Sequence, residues 1–176
     1  PSVGTFQEAY RKVIREGADA VLEISLASKL SATYSNAAQA AKNVSAETGV
    51  PIEVIDSGTV SGGFGMPAEI VAREAQQGAT LEQLKAHAQS MLSRVRLYAA
   101  LDTLEYLKRG GRIGSARALL GSLLNVKPLI EVRAGQVLPL ENVRTRSKAL
   151  ERMGQIVAAL GELESLAIVA SDSVVA

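Results

Sequence analysis

Three sets of residues have the types and spacing to do chemistry. The first is Leu104 to Arg112, LEYLKRGGR, where Lys108, Arg109 and Arg112 place positive charge around a Gly110-Gly111 pair. Glycines take backbone angles closed to other residues and expose main-chain N–H groups. This corner therefore reads as an anion nest of N–H donors beside a guanidinium fork. The same letters also spell a helix C-terminus, since Gly after Lys-Arg ends many helices; a capped helix end can still present an arginine. The other two sets carry hydroxyls: Ser28, Ser31 and Thr33 in ASKLSATY, and Asp56, Ser57, Thr59 and Ser61 in DSGTVSGGFG. Such loops suit one polar head group, and a buried carboxylate needs several donors because an unpaired buried charge is costly. Taken singly, Ser, Asp and Gly are ordinary caps and turn formers.

Catalytic machinery is harder to assemble. The lone His87 lies mid-helix in LKAHAQS, which reads as packing or solvent exposure rather than catalysis. Zero cysteines exclude a thiol nucleophile, disulfides and thiolate metal sites. A serine nucleophile needs a base, and no histidine neighbours either serine loop in sequence. GxxxxGK[ST] is absent, and GTVSGGFG lacks the dinucleotide spacing. No carboxylate cluster has metal-ligand spacing. The expectation is a binding protein with no catalytic residues, no metal and no cofactor.

The elements that must position these residues follow from periodicity and punctuation. Ser2 is placed to cap a helix carrying Phe6, Tyr10, Val13 and Ile14 on one face, ended by Gly17. Strands are predicted at 20–26 and 52–55, and helices at 35–48, 67–77 and about 81–94, the last opened by a Thr80/Gln83 capping box. Both hydroxyl loops then lie at the carboxyl ends of strands in parallel βα units, where α/β sheets bind ligands. Beyond residue 91 the pattern changes: a strand near 97–101, a helical 103–109 stretch, and an apolar 113–124 segment with Asn125 as its cap. A hairpin follows at 126–132 and 136–140 around Arg133-Ala134-Gly135, then a helix over 147–160 and a last strand over 166–169. The fold class is α/β with two lobes. Residues 1–91 make a parallel βα sheet with helices on both faces. Residues 92–176 make a second, mixed or antiparallel α/β lobe with the GGR corner, the hairpin, and the final helix and strand.

Composition agrees. The chain is 47% hydrophobic but 3% aromatic, so its core is built from Ala, Leu, Val and Ile. Net charge is +1, but residues 1–91 hold 7 basic and 10 acidic side chains and residues 92–152 hold 12 and 5. The second lobe thus carries a basic stripe, Lys108, Arg109, Arg112, Arg144 and Arg146, suited to an acidic partner. Aromatic platforms for stacked bases are lacking, which argues against nucleic acid. No leader or membrane-length apolar run is evident, so the expectation is a soluble, cytoplasmic protein. Pro1 in place of Met, and a final apolar run without a polar tail, suggest a piece of a longer chain.

At this point the motifs resemble the DegV family, fatty-acid-binding proteins that serve as lipid carriers for bacterial fatty acid kinase. PSVGTF at Pro1 looks like the tail of the family's TSQPS motif, and LSATY at 30–34 is similar to its LSGTY. VIDSGTVSGGFG at 54–65 resembles its strand and DS loop. The most specific matches are LEYLKRGGRIGSARALLGSLLNVKPLI at 104–130 and GQVLPLENVRTRSKAL at 135–150. The resemblance implies two α/β lobes with a long-chain fatty acid in a buried tunnel between them. It implies carboxylate binding by Ser31 with the Ala32 N–H; the family has glycine where Ala32 stands. The family's Thr and Ser would precede Pro1, and its late-strand His has no counterpart in IVASDS, leaving Ser171 as a possible substitute. Ser57, Ser61, Gly62 and Gly63 are further candidate head-group or loop contacts. Arg112, Arg144 and Arg146 match basic positions facing the kinase or the acyl phosphate.

The implied function is presentation of the acid to a separate ATP-dependent kinase for acyl-phosphate formation and phospholipid synthesis. The bound fatty acid is then ligand rather than cofactor, and any membrane contact is transient. The competing reading is an enzyme acting on a small phosphorylated or acidic metabolite, based on the DS/Gly-rich loop and the arginines at strand ends.

Overall fold

The structure, a computed structural model, describes residues 1–121 and 126–170. The chain divides into two units, Pro1–Val95 and Arg96–Ala176.

In the first unit, helix α1 (Val3–Arg15) starts where the Ser2 side chain accepts a hydrogen bond from Thr5 N at 3.2 Å. Strand β1 (Val21–Ser25) pairs in parallel with β2 (Ile52–Asp56), Val21 opposite Ile52 through Ser25 opposite Asp56. Helix α2 (Thr33–Thr48) connects them, a parallel crossover as expected. Helices α3 (Gly62–Gln76) and α4 (Leu81–Arg94) follow. Strand alternation sends side chains to opposite faces, and both faces are covered. Val21, Ile52 and Val54 pack with Tyr10, Ala40, Ala41 and Val44 of α1 and α2. Leu22, Ile24 and Ile55 pack with Val71, Leu84, Ala88 and Met91 of α3 and α4. Alanines let α2 lie close to the sheet, which is how a core short of aromatics is filled. Arg11 and Glu47, 2.6 Å apart, tie α1 to α2 at the surface. The capping box of α4 forms as its sequence predicts.

One boundary differs. Helix α3 begins at Gly62, five residues before the predicted start at Pro67. The glycines read as loop are its first turn, and Pro67 sits inside the helix, fully buried. Proline lacks the N–H that would pair with the carbonyl four residues back. The packing of α3 on the sheet outweighs both propensities.

In the second unit, β3 (Leu97–Ala100), β4 (Lys127–Arg133) and β5 (Gln136–Val143) form an antiparallel sheet with β4 central. Residues 128–132 of β4 are buried on both faces, Glu131 among them. The hairpin turn places Ala134 at φ 50° and Gly135 at φ 71°, both positive as a two-residue turn of this kind requires. A register shift at Leu129/Ile130 accommodates Pro139 within β5. Helix α5 is one short turn, Glu105–Arg109, and a 3-10 segment, Gly114–Leu119, packs along β5. Helix α6 (Arg146–Ala158) packs on the sheet and opens where the Thr145 side chain accepts from Lys148 N.

The strand expected over 166–169 is not formed. Leu166, Ile168 and Val169 are 60%, 85% and 69% exposed and join no ladder among the described residues. An apolar run becomes a strand only where a partner strand takes its hydrogen bonds. Asn125 and Ser171 lie outside the described residues. Among those described, no helix is long and apolar enough to cross a membrane.

Candidate functional site

The two hydroxyl loops meet at the carboxyl ends of β1 and β2. Pairing continues past the ladder: Ser57 N donates to Ser25 O at 3.0 Å, and Ala27 N to Thr59 O at 2.8 Å. Leu30 N and Ser31 N both return to Ala27 O, at 3.0 and 3.3 Å, closing a tight turn before α2. At its end Ser31 Oγ lies 2.9 Å from Thr33 Oγ1 and accepts from Thr33 N at 3.2 Å. Ala32 is exposed, takes the N-cap position of α2 without a side-chain cap, and its N–H makes no hydrogen bond among the described residues. A free main-chain donor at the start of a 16-residue helix favours an anion. Ser31 and Ala32 are thus brought together as a hydroxyl and an open N–H.

In the second loop, Ser57 is buried and its Oγ accepts from Thr59 N at 3.2 Å and lies 3.3 Å from Thr59 O. Its hydroxyl is spent inside the loop rather than offered outward. Ser61 is exposed at φ 53°, a strained angle for a residue with a Cβ, and its side chain does not cap α3. Gly63 is buried, its N–H on Val60 O at 3.0 Å, while Gly62 is part-exposed.

Asp56 joins the two loops. It accepts from Ser28 N at 3.1 Å, from the Ser28 hydroxyl, and from Gly58 N at 2.9 Å. Burial pushes its carboxyl up, but the Ser28 hydroxyl, the Gly58 and Ser28 amides and the Lys29 charge together hold it below the ordinary carboxylate range. Sequence reading placed Asp56 in the loop without finding this role, because its main partner is Ser28, on the preceding strand's loop. Farther down β1, half-buried Glu23 is pushed up to about 7 by burial. Among the described residues its Oε2 has no partner, and the nearby Ser25 hydroxyl offsets the shift only in part without making a full hydrogen bond. Tyr10, facing it from α1, is raised by burial and by the Glu23 charge.

In the second unit the GGR corner resolves as a helix end. Gly110 N donates to Tyr106 O, Gly111 N to Lys108 O and Arg112 N to Leu107 O, at 2.9, 3.1 and 2.9 Å. Gly111 takes φ 71°, the left-handed angle of a helix stop. This corrects the nest: all three N–H groups are consumed by carbonyls of α5. Arg112 Nη1 turns back to Gly110 O, and Arg109 pairs with Glu105. Arg144 and Arg146 flank the Thr145 cap and are exposed. Arg146 lies within electrostatic reach of Asp102, whose carboxyl is held down chiefly by its bond to Lys127 at 2.7 Å.

His87 Nδ1 lies 2.9 Å from a Glu74 carboxylate oxygen, linking α4 to α3. Among the described residues no group of three or more His, Cys, Asp or Glu side chains is arranged to hold a metal ion.

A family model described as uncharacterised proteins of the DegV family matches residues 1–173. A DegV domain-containing protein of Streptomyces coelicolor is 40% identical over 158 residues, 90% of this chain and 55% of that protein. A fatty acid-binding protein of Thermotoga maritima is 31% identical over 155 residues, 87% of this chain and 52% of that protein. The solved structure of a fatty-acid-binding DegV family protein from Thermus thermophilus superimposes with a TM-score of 0.78 at 34% identity, covering 90% of this chain and 55% of that one. The chain spans about half the length of the curated relatives it matches.

Proposed function

This chain belongs to the DegV family, and from that premise we propose that it binds a long-chain fatty acid through the carboxylate, at Ser31 and the Ala32 N–H. The observation that carries the reading is the pairing of the Ser31 hydroxyl with the unbonded Ala32 N–H at the uncapped start of α2. The fatty-acid binding of the Thermus thermophilus and Thermotoga maritima relatives supports the choice of ligand. An acyl chain behind that head group lies in a sheltered apolar tunnel, leaving the carboxylate at the surface. The acid is a carried ligand, so the protein acts as a carrier and supplies no catalytic residue of its own.

We further propose that the carried acid is presented to a separate ATP-dependent kinase in the cytoplasm, giving an acyl phosphate for phospholipid synthesis. Arg112, Arg144 and Arg146 face that kinase or the product phosphate. The exposed positions of Arg144 and Arg146 beside the start of α6 support this. Ser57 is left as a loop-building residue on this reading, because its hydroxyl is internally bonded. Ser61, Gly62 and Gly63 remain candidate contacts, and Ser171 a candidate third donor.

The test is organic extraction of the purified full-length protein followed by mass spectrometry. A stoichiometric long-chain acid is expected from wild type and a depleted one from Ser31→Ala. Wild-type protein free of lipid, and unable to take up added fatty acid, would overturn the proposal.

A further inference from the structure

Asp56 makes one ordinary contact and two unusual ones. Its bond from Gly58 N closes a local turn, as Asp commonly does two residues ahead of itself. The others reach 28 positions back, to both the main-chain N–H and the hydroxyl of Ser28. Ser28 follows Ala27, the residue whose N–H is held by Thr59 O and whose carbonyl receives Leu30 N and Ser31 N. A continuous chain of hydrogen bonds therefore runs from the Asp56 carboxylate through the 27–31 turn to Ser31.

We propose that Asp56 is a positioning residue for the head-group site: it clamps the Ser31 turn to the 57–61 loop and so fixes where Ser31 and the Ala32 N–H meet the ligand. The inference rests on the carboxylate-binding reading above. Three donors converge on its two oxygens from two loops, both amides on Oδ1 and the Ser28 hydroxyl on Oδ2. Saturating Asp56 has a second effect. A carboxylate ligand arriving at Ser31 finds the neighbouring negative charge already engaged by three donors and by Lys29, so repulsion between the two anions is reduced.

The experiment uses the full chain and a fluorescent long-chain fatty acid as probe, titrated into wild type, D56A, D56N, S31A and the D56A/S31A double variant. D56A is expected to weaken binding about tenfold, as the loss of a charge-assisted hydrogen bond implies. D56N keeps an acceptor for the Ser28 and Gly58 amides and loses about threefold or less. In the S31A background D56A costs clearly less than in wild type, because only the Ala32 N–H is then left for the clamp to position. Binding by D56A within about twofold of wild type, or losses that multiply in the double variant, overturns the clamp.

Hydrogen exchange separates this outcome from failure of the functional reading. If wild type does not take the probe, the fatty-acid reading falls and the clamp is judged on amides alone. D56A is then expected to speed exchange at Ala27, Ser28, Leu30, Ser31 and Gly58 together, while β1 and β2 stay protected. Acceleration confined to Gly58, or none, overturns the clamp even where lipid binding is intact.

Discussion

The two units treat their polar groups in opposite ways. In Pro1–Val95 the loops at the strand ends bond to one another, and the Ala32 N–H beside them has no hydrogen-bond partner among the described residues. In the second unit the backbone closes on itself. The GGR corner spends its N–H groups on α5, and the 3-10 segment is fastened to β5 by Ser115 Oγ to Val137 O at 3.2 Å and Asn142 Nδ2 to Leu119 O at 2.9 Å. What that unit offers outward is side-chain charge at Arg144, Arg146 and Lys148. Glycine-rich and basic sequence therefore does not by itself make an anion nest. The deciding matter is whether the N–H groups have already found carbonyls.

Four substitutions sharpen this contrast. The largest stability loss is expected from Gly114→Ala in the second unit. Gly114 has φ 53°, and a Cβ there would lie 2.9 Å from Val137 O. Overpacking of this kind costs about 1–3 kcal/mol, and the left-handed angle adds roughly 1–2. Thermal unfolding combined with hydrogen exchange over 114–120 and 136–143 would show the 3-10 segment lifting from β5. A neutral Gly114→Ala would mean that this closure contributes little.

Next is Ser31→Ala in the first unit, expected to weaken fatty-acid binding by about 1.5–3 kcal/mol, the worth of one hydrogen bond to a charged group. Melting temperature should hardly move, because the hydroxyl is only part-buried. A large fall in stability without loss of affinity would instead make Ser31 a helix-start residue and nothing more.

Glu23→Gln tests the buried face of the first unit by pH. Below about 4.5 the carboxyl is neutral both folded and unfolded. As pH rises from there to about 7, the unfolded chain has released the proton while the folded one retains it. Wild-type stability should therefore fall through that window and level off above it. Glu23→Gln removes this slope and is more stable than wild type on the alkaline side. Parallel pH profiles for the two proteins would show that Glu23 is not held neutral.

The smallest effect is expected at the hairpin of the second unit. Ala134→Asn places a residue that tolerates positive φ at φ 50° and should stabilise by roughly 0.5–1 kcal/mol, read as a rise in denaturation midpoint.

Much of the fold was legible in the chain because its signals are local. Ser2 and Thr80 stand where a hydroxyl reaches the N–H three residues on, giving helix starts at Val3 and Leu81, whereas the Thr145 cap was not read and starts α6 one residue before the predicted 147. Strand–loop–helix order placed both hydroxyl loops at one end of a parallel sheet. The 166–169 run was misread because strand formation depends on a partner, which a single stretch cannot disclose. The start of α3 was misread because tertiary packing outweighed the low helix propensity of Gly62, Gly63 and Gly65.

The sequence alone determined which residues carry anion-binding chemistry as candidates, Ser31 with Ala32 and the arginines, since residue types and motif order are written in it. Tertiary structure decided which donors stay open. Ser57 and the GGR amides are consumed by nearby acceptors, the Ala32 N–H has none among the described residues, and Asp56 reaches across to Ser28. The first two depend on backbone angles within one turn or helix end, and the last on the distance between segments 28 positions apart; folding sets both and residue order leaves them open.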